Sequence, residues 1–142
     1  MSSRRQPSSA SYWPDSAASW YEGHCSVGLA EAATDWGLAE GQSGGPDSSE
    51  TYILLANPGV TAAEVTVTFL RTSGPPIVRT LTVMPSSRLS VRVHTLVPEL
   101  LNERFGASIR STVPIVVERS LYGSPGGVAW ASGSNVTGTP RR

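Results

Sequence analysis

Residues 63–70, AEVTVTFL, alternate without a break. Val65, Val67 and Phe69 fall on one face, and Glu64, Thr66 and Thr68 on the other. A period of two is the side-chain repeat of an extended strand and does not fit a helical face, so the segment reads as a half-buried β-strand. The pattern continues on both sides. TYILLAN (51–57) is an apolar run stopped by Asn57-Pro58-Gly59. IVRTLTV (77–83) places Ile77, Arg79, Leu81 and Val83 on one face, and Arg79 there suits a sheet edge. RLSVRV (88–93) turns Leu89, Val91 and Val93 inward. GASIRS (106–111) and PIVVERSL (114–121) read as two further strands, Pro114 opening the second, where a missing N–H is tolerated. TLVPELLNERFG (95–106) breaks the alternation. Pro98 suits a first helical turn and Gly106 a stop, predicting one short helical turn near residues 97–103. Short strands separated by Gly/Pro turns predict an all-β fold, an antiparallel β-sandwich, with a small barrel as the alternative.

The chain also begins with a partial copy of its own end. SYWPDSAASWYEGHCSVG (11–28) contains Tyr12, Trp20, Gly23 and Gly28 in the pattern Y-x7-W-x2-G-x4-G. LYGSPGGVAWASGSNVTG (121–138) repeats it as Tyr122, Trp130, Gly133 and Gly138, each 110 residues further on. The chain has only four tyrosines and four tryptophans, so half of each type sits in matched positions. This predicts a mobile tail over residues 1–11, the closing segment of a preceding repeat over 12–33, and one full sandwich unit over 34–140. A sandwich has room for one closing segment, and a surplus strand is a template for pairing. It can extend a remaining edge of its own domain, stay without order, or enter the equivalent slot of another copy by strand addition. The last arrangement is head-to-tail and makes open filaments unless it closes into a ring.

Composition narrows the function. A length of 142 residues predicts one domain. The 11 acidic and 11 basic residues cancel, which argues against a nucleic-acid surface. No stretch approaches the ~18 apolar residues of a membrane span. The paired Arg4 and Arg5 are not followed by the apolar run of a signal peptide. Cys25 is the single cysteine, so no internal disulfide is expected. On a strand its neighbour His24 points to the opposite face. His24 and His94 are the only histidines, and no metal cluster is expected. No G-x-S-x-G elbow is present, and GSPGG (123–127) lacks the lysine of a phosphate loop. Asp47 and Glu50, with Glu40 nearby, are oxygen ligands beside a Gly-rich loop, but their spacing matches no EF-hand. The expectation is a protein that is not an enzyme and takes no cofactor.

Two sets of residues remain as candidate sites. Tyr12, Trp13, Trp20 and Tyr21 form an aromatic cluster in sequence. Such rings stack sugars or close the edge of a core. They give the alternative reading, a carbohydrate-binding module whose partners are surface glycans. Glu118 and Arg119 are neighbours on a strand, so one of them faces inward. They read as a structural ion pair or hydrogen-bond anchor, with Glu118 reaching an arginine of a facing strand. Such a pair fixes register more than it adds stability.

WGLAEG (36–41), TYILLANPG (51–59), VTVTFL (65–70), SRLSVRV (87–93) and PIVVERSLY (114–122) resemble a bacterial extracellular β-sandwich repeat found in tandem in large secreted or surface proteins. The resemblance runs collinearly over about residues 34–140. It implies an Ig-like sandwich, an extracellular or cell-surface setting, a structural or adhesive role, and copies of itself or adjacent repeats as partners. It supplies no catalytic residues.

Overall fold

The computed structural model describes residue 28 and residues 31–142. The eight strands are β1 (Ala33–Ser43), β2 (Glu50–Asn57), β3 (Ala63–Arg71), β4 (Ile77–Val83), β5 (Ser87–Arg92), β6 (Glu103–Gly123), β7 (Ser132–Thr137) and β8 (Thr139–Pro140). One sheet has the order β4-β3-β6-β1-β8, and the other runs β5-β2-β6-β7. Every pairing is antiparallel. The expected all-β sandwich is the fold.

The alternating faces meet as predicted. Val65, Val67 and Phe69 of β3 are buried, while Glu64 and Leu70 are exposed. Trp36, Ile53, Leu55, Ile109, Ile115 and Val117 fill the space between the sheets. Phe69 meets Phe105 edge to face at 5.7 Å. β4 is an edge strand, as its Arg79 suggests. The Arg79 guanidinium donates to Glu99 at 3.0 Å and to the Leu96 carbonyl at 3.4 Å, tying that edge to the chain crossing between the sheets.

Three local expectations change. The crossing holds two short turns, α-helical over Val93–Leu96 and 3-10 over Pro98–Leu100, so helical structure begins earlier than expected and ends before residue 103. Buried Val93 and Leu100 anchor it, and Asn102 ends it with a left-handed backbone (φ 64°). Gly106 therefore stops no helix; it lies within β6. A Cβ there would sit 3.2 Å from the Leu38 carbonyl oxygen and 3.4 Å from that of Ala39, so glycine permits close approach of β1. Pro114 opens no strand. β6 is one 21-residue element that serves both sheets. Up to Ser111 it pairs with β3, and from Val116 it pairs with β2. Pro114 occupies the corner between these ladders, where no paired N–H is required.

β1 lies outside the region of clear alternation. Its register on β6 shifts between Leu38 and Gly41, marking a bulge. Before the bulge Trp36 and Leu38 face in; after it Gly41 and Ser43 are buried. An extra residue in one strand changes the phase of its side chains.

Candidate functional site

The second half of the duplicated motif lies where the chain closes the sandwich, and three of its four matched residues, Tyr122, Trp130 and Gly138, make specific contacts there. Tyr122, next to last in β6, stacks on Trp130, ring centroids 5.3 Å apart and planes inclined by 30°. It also meets Tyr52 edge to face at 5.9 Å. Gly133 of β7 is the register partner of Tyr122. The connecting loop is tight: Gly126, Gly127 and Trp130 have positive φ, and the Trp130 N–H donates to Ser124 Oγ at 3.1 Å. The Ser124 N–H donates to the Asp47 carbonyl at 2.6 Å, fastening this loop to the β1–β2 hairpin.

Gly138 is the switch point. β7 pairs with β6 in one sheet, and β8, beginning one residue after Gly138, pairs with Trp36 and Gly37 of β1 in the other. The Gly138 N–H donates to the Val117 carbonyl at 2.8 Å. The strand then runs back beside the start of the unit. The Arg141 N–H donates to the Asp35 carbonyl at 2.9 Å, and its guanidinium binds the Asp35 carboxylate and Ser108. The unit thus begins and ends at the same pole, its first and last strands antiparallel. Of the motif's first half only Gly28 is among the described residues. It is exposed, and no described residue lies within 4 Å of where a Cβ would be.

Because β7 and β8 belong to different sheets, a seam opens above Gly138. Its walls are Leu38, Ala39 and Glu40 of β1 on one side and Val136 and Thr137 of β7 on the other; the cleft holds about 160 Å³. Arg119 lies in it, only 5% exposed, level with Ile53 on β2 and Val136 on β7. Its guanidinium donates to the Glu40 carbonyl at 3.2 Å and to Ser134 Oγ at 3.3 Å. The nearest carboxylate oxygen, on Glu40, is 3.9 Å away. Burial pulls the Arg119 pKa down from the usual arginine value, and Glu40 opposes the shift.

Among the sequence candidates, Tyr12, Trp13, Trp20 and Tyr21 lie outside the described residues, as do His24 and Cys25. Arg119 is the inward member of the Glu118–Arg119 pair. Its ion-pair contact is Glu40, on the other sheet; Glu118 has no ion-pair partner among the described residues. Glu50 is engaged by Arg92 and by the Tyr52 hydroxyl, which donates to it at 3.0 Å. Burial, with Glu50 beside it, raises the Tyr52 pKa. No three His, Cys, Asp or Glu residues among those described converge on a metal position. No helix among them is long and apolar enough to cross a membrane. Sequence reasoning missed the seam itself, because it depends on one strand dividing between two sheets.

No family model and no curated protein matches the chain. Solved structures do. Thermotoga maritima 1070 is similar over 78% of this chain and 96% of its own, with a TM-score of 0.69 and 20% identity, a likeness of fold. The Anabaena sensory rhodopsin transducer is similar over 65% of this chain and 91% of its own, with a TM-score of 0.54 and 28% identity.

Proposed function

We propose that this chain is a non-catalytic, extracellular structural or adhesive β-sandwich module that joins copies of itself head to tail by strand addition. One observation carries the reading. Tyr122 stacks on Trp130, Gly133 stands opposite Tyr122 in the β6–β7 ladder, and Gly138 carries the chain from one sheet to the other. The same four residue types recur at the same spacing in residues 12–28, where the described Gly28 meets no neighbour that would require a glycine. A segment equipped for a slot that its own unit already fills can enter the equivalent slot of another copy by displacing that copy's residues 122–140. The motifs resembling bacterial surface repeats supply the extracellular setting.

Sedimentation velocity on the full chain and on a version lacking residues 1–30 tests this. The full chain should form a concentration-dependent ladder of oligomers, and the shortened chain should stay monomeric. A full chain that remains monomeric at high concentration refutes the proposal.

A further inference from the structure

We propose that the seam between β1 and β7 is a carboxylate-binding site with Arg119 as its anchor. The inference stands on observations other than those behind head-to-tail assembly. A buried guanidinium needs anionic or hydrogen-bonding partners to offset its lost hydration. Among the described residues Arg119 has few: two of its five N–H groups have protein acceptors, at 3.2 and 3.3 Å. Its one carboxylate neighbour is beyond hydrogen-bonding distance at 3.9 Å, on a side chain 65% exposed to water. A planar guanidinium fork matches a carboxylate through two parallel hydrogen bonds.

The walls select among anions. Leu38, Ala39 and Val136 are apolar, and Thr137 and Thr139 complete a cleft of about 160 Å³, room for a carboxylate on a short aliphatic stem. Val136 is 48% exposed although it shares the face of the buried Arg119, so the cleft is reachable from solvent. The Glu40 carboxylate at the rim disfavours a dianion such as phosphate more than a single negative charge. The carboxylate can come from a small organic acid or from an Asp or Glu side chain of an extended peptide lying along the seam.

The test is a chemical-shift titration of the Arg119 side-chain nitrogens in the full chain with propionate, with inorganic phosphate, and with a blocked Val-Thr-Glu-Thr-Val peptide. Propionate should saturate the site, and phosphate should not. Tighter binding of the peptide than of propionate identifies a peptide side chain as the source; equal binding identifies a free acid. Glu40→Gln removes the competing charge without touching the core and should tighten propionate binding about two- to fivefold. Arg119→Lys keeps the charge, removes the fork and should abolish most of the binding. No saturable response to propionate, phosphate binding as tightly as propionate, or a Glu40→Gln variant with unchanged affinity would each overturn the proposal.

Discussion

At Gly138 the closing strand leaves one sheet for the other, and a methyl group has no room there. A Cβ would lie 3.1 Å from Cε3 of Trp36, 3.2 Å from the Val117 carbonyl oxygen and 3.5 Å from Cδ2 of Leu38. These neighbours cannot easily withdraw. Trp36 is fully buried, with its Nε1–H donating to the Ala33 carbonyl at 2.9 Å. The Val117 oxygen is backbone and already accepts the Gly138 N–H. Gly138→Ala should therefore destabilise the unit by about 1–3 kcal/mol, the usual range for overpacking a filled interior. Gly28→Ala should behave oppositely in the isolated unit. No described residue stands within 4 Å of its Cβ position, and restricting the unfolded chain adds roughly 0.4–1 kcal/mol of stability. Under the proposed strand exchange, however, Gly28 would take the place of Gly138 in a second copy, and its added methyl would meet the same three atoms. Association should then weaken by the overpacking cost of about 1–3 kcal/mol, roughly 5- to 150-fold. Urea unfolding at low protein concentration reads the first effect, and sedimentation at high concentration reads the second. An unchanged urea midpoint for Gly138→Ala refutes the close approach. Unchanged association for Gly28→Ala refutes strand exchange while leaving the fold intact.

Two further substitutions and a pH titration probe the frame. Asn57 is 1% exposed; its Nδ2 donates to the carbonyls of Thr61 (2.8 Å) and Val83 (3.1 Å), and its Oδ1 accepts the Gly59 N–H at 3.0 Å. Asn57→Ala removes these three buried or part-buried hydrogen bonds and should cost about 1–3 kcal/mol, read as a lower urea midpoint at constant slope. The Arg71 guanidinium hydrogen-bonds Glu103 and holds its carboxyl below the usual range, and the Glu99 carboxyl is lowered by its own backbone N–H and then by Arg79. A carboxyl depressed in the folded state stabilises it above the unfolded pKa, about 4.3, and loses that contribution as pH falls through the folded value. The urea midpoint should therefore be level near neutrality and drop below about pH 4. Glu103→Gln should make that drop shallower, and an identical drop in the variant refutes the assignment.

How far the sequence reveals this molecule depends on whether a residue's role is set by its own strand or by the meeting of several. Val65, Val67, Phe69, Leu89 and Val91 could be assigned faces from a two-residue period alone, because each strand carries that signal locally. Arg79 could be placed at an edge because a cation among apolar neighbours needs an outlet. The period fails at β1, where the bulge between Leu38 and Gly41 shifts its phase, and at β6, where one strand turning at Pro114 looks like two. Asn57 and Gly106 looked like ordinary turn and stop signals, yet their tasks are set by chains far away in sequence: Val83 for one, Leu38 and Ala39 for the other. The same holds for Arg119. Its sequence neighbour Glu118 is the obvious carboxylate, but adjacent side chains on a strand diverge, and its ion-pair contact is Glu40, 79 positions earlier on the facing sheet. Glu40 lies in the β1 bulge between Leu38 and Gly41, and β8 covers the β1 edge only at Trp36 and Gly37, so the edge beyond stays open beside β7 as a cleft. The crossing at Gly138 thus both carries the chain from one sheet to the other and bounds the cleft in which Arg119 is buried.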